Sequence, residues 1–174
     1  KTVLENAGFQ NVKTYIQTGN VFVDSDEEIS RAANMSIPEI FDRDGEDFFR
    51  LKETQIIGRL LGSRPHILST GGGAFLSNEN RKMISGNAVS VWLDAELETL
   101  WDRVKEKKSR PLLMVKDPKT ALKNLYISRK PQYAKANIRV KALHSQTKEV
   151  MVDRVIQTLL ADPISGLSKV EKNA

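Results

Sequence analysis

Short β-rich runs alternate with helical stretches along almost the whole chain, and that alternation leaves few folds open. Residues 12–16 and 21–24 are strand-like and flank Gln17, Thr18, Gly19 and Asn20, a turn-forming group that predicts a hairpin. Residues 66–69, 88–93 and 137–141 read as three more short strands. Ser36, Ile37, Pro38 and Glu39 form a capping-box pattern, so a helix should follow them. A second helical stretch over 45–61 carries Phe48, Phe49, Leu51, Ile56, Ile57, Leu60 and Leu61, enough for one buried face. Helices are also expected over 78–85, over 96–107, from Asp117 and Pro118 onward, and over 147–161. In the last, Val150, Val152, Val155, Ile156, Leu159 and Leu160 suit packing on a sheet. Strands interleaved with helices imply an α/β fold with a mostly parallel sheet. Ligands in such sheets sit beyond the carboxyl ends of the strands.

A length of 174 residues suits one domain, expected over 1–162 with a frayed tail over 163–174. The net charge of +5 admits a nucleic acid or a small anionic substrate. The cations are dispersed, their largest cluster being Arg103, Lys105, Lys107, Lys108 and Arg110, and only 6% of residues are aromatic, so the small anion is preferred. With no cysteine, thiolate nucleophiles and thiolate metal sites are excluded, and His66 and His144 lie too far apart in sequence to suggest a histidine metal site. No apolar run approaches the roughly 18 residues of a membrane span, and residues 1–8 lack a signal peptide's apolar stretch. A soluble cytoplasmic protein is expected, with carboxylates, arginines, glycines and hydroxyls left to do the chemistry.

The ends of the expected strands supply the candidates. Asp24 and Asp26 follow the run at 21–23, so one carboxylate could face a metal or its waters and the other a hydroxyl; equally, Asp24 could end the strand while Asp26 caps a helix. Gly71, Gly72 and Gly73 follow another strand, where three glycines let the backbone approach a ligand and offer amides to anionic oxygens, although a tight turn needs one or two of them. Arg50, Arg103, Arg110 and Arg129 lie near expected element ends, and their planar guanidinium groups suit carboxylate or phosphate. Trp92 and Trp101 fall at or beside apolar positions and are read as packing residues.

Together these residues resemble the shikimate kinase family over about 21–160. The matching motifs are Asp24-Ser25-Asp26, Ser36-Ile37-Pro38-Glu39-Ile40-Phe41, Gly45-Glu46 with Phe49-Arg50 and Glu53, Thr70-Gly71-Gly72-Gly73-Ala74, Arg110-Pro111-Leu112-Leu113, and Arg129 with Pro131 and Tyr133. The resemblance implies a nucleoside-monophosphate-kinase-like α/β fold and transfer of a phosphoryl group from ATP, with magnesium, to the 3-hydroxyl of shikimate, a step of chorismate and aromatic amino-acid biosynthesis. It further implies that Asp26 binds shikimate hydroxyls and helps remove the proton of the attacking one, and that Asp24 holds magnesium through water. Arg50 and Arg129 would clamp the shikimate carboxylate, Gly71, Gly72 and Gly73 would line its ring, and Glu53 would orient Arg50. Arg110 would come from a lid over 104–116, and Arg103 would lie against adenine. A cytoplasmic monomer acting on small molecules, with neither nucleic acid nor membrane as partner, is the matching expectation.

The chain departs from that family at its start. The family places a central strand and a GxxxxGK[ST] phosphate loop ahead of the strand ending in Asp24; here only 23 residues precede Asp24, none reads as that loop, and the sequence contains no Gly-Lys pair. Residues 4–23 instead resemble the start of DUF1697-type α/β proteins. The missing strand belongs mid-sheet, between the strands at 66–69 and 88–93, a slot that residues 12–16 can hardly fill because a four-residue link favours an antiparallel neighbour. An edge hairpin is therefore expected, with the flanking strands either closing up or leaving the core partly open. Two other functions stay open: a non-catalytic module binding shikimate or another anion, and a fusion fragment without activity.

Overall fold

The computed structural model describes residues 22–63, 66–105, 115–144 and 146–166. They fall into two compact units, one reaching Ala88 and the other spanning Val89–Gly166.

The first unit begins with β1 (Phe22–Asp24), which runs straight into α1 (Ser25–Ala33). Asp24 caps that helix: its Oδ1 accepts from the Asp26 amide at 2.9 Å and the Glu27 amide at 3.4 Å. The alternative that made Asp26 the cap is thus corrected, since the helix starts at the residue after the strand and Asp26 lies inside its first turn. Asp26, Glu27 and Glu28 there suit the positive end of the helix dipole.

Helix α2 (Ile37–Leu61) opens with the expected capping box, Ser36 Oγ accepting from the Glu39 amide while Glu39 Oε2 accepts from the Ser36 amide at 2.7 Å. Gly45 interrupts it at φ 83° and ψ 174°, a conformation that residues with a side chain rarely adopt. Both helical stretches read from the sequence are present, joined at this glycine. Beyond it, Phe49, Glu53, Ile56, Ile57 and Leu60 repeat at helical spacing on one buried stripe. Phe49, Ile56 and Leu60 pack with Ile29 and Ile40, and Val23 and Leu68 from the strands lie against them. Ile57 joins Ala74 and Ile84 in a second cluster. Glu53 is the charged residue on this stripe, and its side chain is 1% exposed.

Strand β2 (Ile67–Ser69) pairs with β1 in parallel, with Val23 opposite Leu68 and Asp24 opposite Ser69. This register brings the carboxyl ends of the two strands side by side, so Asp26 and the glycines emerge at one edge. A 3₁₀ turn (Ala74–Leu76) and α3 (Asn78–Asn87), capped by Ser77, complete the unit.

The second unit contains β3 (Val91–Ala95), α4 (Leu97–Val104), α5 (Pro118–Tyr133), β4 (Ile138–Ala142) and α6 (Lys148–Ala161). Strand β3 starts later than the expected 88–93, because the Ala88 amide donates to Ile84 O at 2.8 Å and so closes the preceding helix. It pairs in parallel with β4 from Val91 opposite Ile138 to Ala95 opposite Ala142. Ile138, Val140 and Ala142 point inward while Arg139 and Lys141 face solvent, the period of a strand with one covered face. Helix α6 packs on β4. Its buried set is narrower than expected: Ile156 is buried, whereas Val150 and Val152 are exposed. Helix α5 starts as read, with Asp117 accepting from the Thr120 amide at 3.1 Å and Pro118 in its first turn, and it carries Pro131 within the helix. Trp92 lies beneath the Arg139 guanidinium, 5.1 Å from its ring centre, and beside Tyr133, while Arg139 pairs with the buried Asp94.

Among the described residues β1 pairs only with β2 and β3 only with β4, so the single parallel sheet expected from the sequence is present as two parallel pairs. Strand 12–16 of the expected hairpin, the lid residues 106–114 with Arg110, and residues 167–174 of the expected tail lie outside the described residues; the first part of that tail is not frayed, because Pro163–Ser165 form a 3₁₀ turn capped by Asp162. Among the described residues no helix is long and apolar enough to cross a membrane.

Candidate functional site

The first unit brings together Asp26, Arg50, Glu53, Gly71 and Gly73. Asp26 reaches the site because Asp24, and not Asp26, caps α1. Arg50 and Glu53 share a face of α2 one turn apart, as spacing i, i+3 requires. The glycines follow β2, whose pairing with β1 sets their height against Asp26.

Arg50 is held from both sides of its own helix. Its Nη1 donates to Glu53 Oε2 at 2.9 Å, and Nε and Nη2 donate to Glu46 Oε1 at 3.2 and 3.0 Å. Partial burial would lower the Arg50 pKa, but the hydrogen bonds and charges of Glu53 and Glu46 outweigh it, so the guanidinium stays firmly charged. Burial raises the Glu53 carboxyl above its ordinary range; the charges of Asp26 and Glu46 push the same way, and Arg50 offsets part of the rise. Glu53 Oε1 is buried with no hydrogen-bond partner.

The glycines fit this cluster because they lack side chains. A β-carbon on Gly71 would stand 3.0 and 3.3 Å from the Asp26 carboxylate oxygens and 3.4 Å from Glu53 Oε1. One on Gly73 would overlap the Arg50 guanidinium, with Cζ and Nη2 each 2.6 Å away. Two acids and one fixed cation therefore close around Gly71 and Gly73, with the unpaired Glu53 oxygen among them. Such a site can accept a proton from a hydroxyl and hold a carboxylate through charge-assisted hydrogen bonds.

Arg103, Arg129 and Arg110 belong to other parts of the chain. Arg103 is in the last turn of α4, exposed, and Arg129 is half-buried on α5, both in the second unit. Arg110 lies outside the described residues. Among the described residues no group of three or more His, Cys, Asp or Glu is arranged to hold a metal. Asp24 uses Oδ1 as the helix cap, so Oδ2 is the oxygen left for an ion, which fits a magnesium that keeps most of its waters and takes one protein carboxylate. Glu46 belongs to a matching motif and stands four residues before Arg50, a spacing that signals the pair; Asn80 and Arg81 behind the glycines carry no such signal, and the bond geometry reveals them.

Comparison with known proteins identifies the family. The shikimate kinase family model matches residues 16–160. A shikimate kinase of Ruegeria pomeroyi is 55% identical over 141 residues, which is 81% of this chain and 72% of that protein. One of Cereibacter sphaeroides is 51% identical over 142 residues, 82% of this chain and 71% of that protein. Among solved structures, shikimate kinase from Acinetobacter baumannii in complex with shikimate superposes with a TM-score of 0.76 at 32% identity, covering 84% of this chain and 82% of that one. Shikimate kinase from Aquifex aeolicus gives 0.72 at 30% identity, covering 87% and 88%.

Proposed function

Because the chain belongs to the shikimate kinase family, we propose that its first unit carries the acceptor site for a phosphoryl transfer converting ATP and shikimate to ADP and 3-phosphoshikimate. The observation that carries this reading is the convergence of Asp26, Glu53 and Arg50 on Gly71 and Gly73.

In this reading Arg50, aligned by Glu53 and Glu46, binds the shikimate carboxylate, with Arg129 as the second clamp. Gly71, Gly72 and Gly73 leave room for the ring at the carboxyl end of β2. Asp26 takes the proton of the attacking hydroxyl as its oxygen bonds to the γ-phosphorus and the bond to the leaving ADP breaks. Arg110, on a lid over 104–116, neutralises charge on the transferred group, and Arg103 lies against adenine. Magnesium, held through water by Asp24, would supply positive charge at the nucleotide phosphates. We read the kinase domain over 1–162 as monomeric and cytoplasmic, with neither nucleic acid nor membrane as partner.

These 174 residues carry more of the acceptor side than of the donor side. We read residues 4–23 as similar to DUF1697-type proteins, and the 174 residues contain no Gly-Lys pair. Phosphoryl transfer relies on positioning and charge stabilisation at the β- and γ-phosphates. Removing one strong donor from such a site commonly lowers the rate ~10² to 10³-fold. For these 174 residues taken by themselves, the absence of a Gly-Lys pair favours one second reading, a module that binds shikimate without turning ATP over.

The test is shikimate-dependent ADP release from ATP and magnesium by the purified 174-residue chain. The expected rate is at least roughly 10²-fold below that of a shikimate kinase carrying the phosphate loop. Comparable turnover that vanishes in Arg50→Ala would show that this chain holds the phosphates by other means and would overturn the account of the donor side.

A further inference from the structure

Behind the glycines, the 3₁₀ turn at Ala74–Leu76 gives all three of its carbonyls to side chains of α3. Asn80, whose side chain is fully buried, donates from Nδ2 to Ala74 O at 3.0 Å. Arg81 donates from Nη1 to Phe75 O and to Leu76 O, both at 2.7 Å. The turn grips the glycines in the same way, since the Ala74 amide donates to Gly71 O at 3.1 Å and the Leu76 amide to Gly73 O at 3.0 Å. Helix α3 is itself fixed, with Ser77 Oγ accepting from the Asn80 amide and Ile84 packed on Ala74 and Ile57. A continuous set of hydrogen bonds therefore runs from α3 through the turn to the two glycines that touch Arg50, Asp26 and Glu53.

We propose that Asn80 and Arg81 are positioning residues for the acceptor site, setting the height of Gly71 and Gly73 and, through Gly73, the position of the Arg50 guanidinium. The inference rests on the reading of the first unit as a shikimate site. Its physical basis is the close approach at Gly73. The guanidinium already fills the space a β-carbon would take, so a shift of a few tenths of an ångström in this loop either strikes Arg50 or opens a gap beside it. Three carbonyls without donors would let the turn relax toward such shifts. Asn80 also fits the need for a buried donor: its Oδ1 has no partner, so Nδ2, bonded to Ala74 O, is the atom through which the side chain acts.

The experiment compares the 174-residue wild type with Arg81→Ala, Arg81→Lys and Asn80→Ala. Shikimate affinity is measured calorimetrically at a temperature where thermal melts show each protein folded. Amide hydrogen exchange at Ala74 and Leu76 is measured without ligand. Arg81→Ala and Asn80→Ala are expected to weaken shikimate binding roughly tenfold, as is usual for residues that orient a ligand's direct contacts, and to speed exchange at both amides. Arg81→Lys, which keeps one cationic donor for the two carbonyls, should fall between wild type and Arg81→Ala. Variants that melt earlier but bind shikimate as tightly as wild type would overturn the proposal, because α3 would then support the fold alone. Arg81 is only partly buried, so its variants keep the test open if Asn80→Ala fails to fold. A wild type that binds no shikimate would overturn the reading of the site; unchanged exchange at Ala74 and Leu76 in the variants would overturn the link from α3 to the glycines.

Discussion

The Arg50 guanidinium occupies the space a side chain on Gly73 would need, with its Cζ 2.6 Å from where that β-carbon would stand. The glycine and the arginine are complementary in shape, one from the loop after β2 and the other from α2. Gly73→Ala should therefore act through Arg50 and not through the backbone. The clash falls on the far end of a flexible side chain, but displacing it strips the buried Glu53 of its cation, so stability should fall by about 1–3 kcal/mol. Moving the guanidinium breaks its bonds to Glu53 and Glu46, and shikimate affinity should fall about tenfold or more. Chemical denaturation and calorimetric titration of the same sample check both halves.

Gly45→Ala tests the opposite case. Nothing lies within 4 Å of a β-carbon built there, but φ is 83°. The effect should be purely conformational, a loss of about 1–3 kcal/mol in unfolding free energy measured in urea. Since Gly45 sets where the helical stretch carrying Glu46, Arg50 and Glu53 begins, this variant should also weaken shikimate binding, but less than Gly73→Ala.

Glu53 gives the protein a pH dependence of known sign. Burial, with Asp26 and Glu46 nearby, raises its folded-state pKa above the ordinary 4.5, so the folded state binds the proton more tightly than the unfolded chain does. The stability from this group is fully present below the unfolded pKa and is lost as pH rises through the raised folded value. Relative to Glu53→Gln, which cannot titrate, the wild type should lose stability as pH climbs above about 4.5. Melting curves of both proteins from pH 4 to 8 would show it, and parallel curves would remove Glu53 as the source.

Much of this was legible in the sequence. Capping residues at Ser36 and Asp117 marked helix starts because a side-chain oxygen three residues before a free amide is a local arrangement, and local arrangements are written in short motifs. The cluster of Asp26, Arg50, Glu53 and the glycines came from motif resemblance, and the parallel register of β1 and β2 explains why those segments meet. The choice between Asp24 and Asp26 as cap depended on whether β1 passes into α1 without a linking residue, which spacing alone does not encode. The resemblance implies that Glu53 orients Arg50, but its burial on the stripe with Phe49 and Leu60 is a product of packing that spacing does not encode. Asn80 and Arg81 act on backbone carbonyls, which every residue has, so no side-chain pattern announces them. The exposure of Val150 and Val152 shows the limit of periodicity: it marks which residues could be buried, while the neighbouring strand decides how many are.

The most direct measurement is calorimetric titration of shikimate into the 174-residue chain without nucleotide, beside Arg50→Ala. The account predicts saturable binding by the wild type and, from loss of charged hydrogen bonds to a carboxylate, affinity weaker by about 10- to 100-fold in Arg50→Ala. Equal affinity in the two proteins, or no binding by a folded wild type, would contradict the claim that Asp26, Arg50, Glu53 and the glycines form the acceptor site.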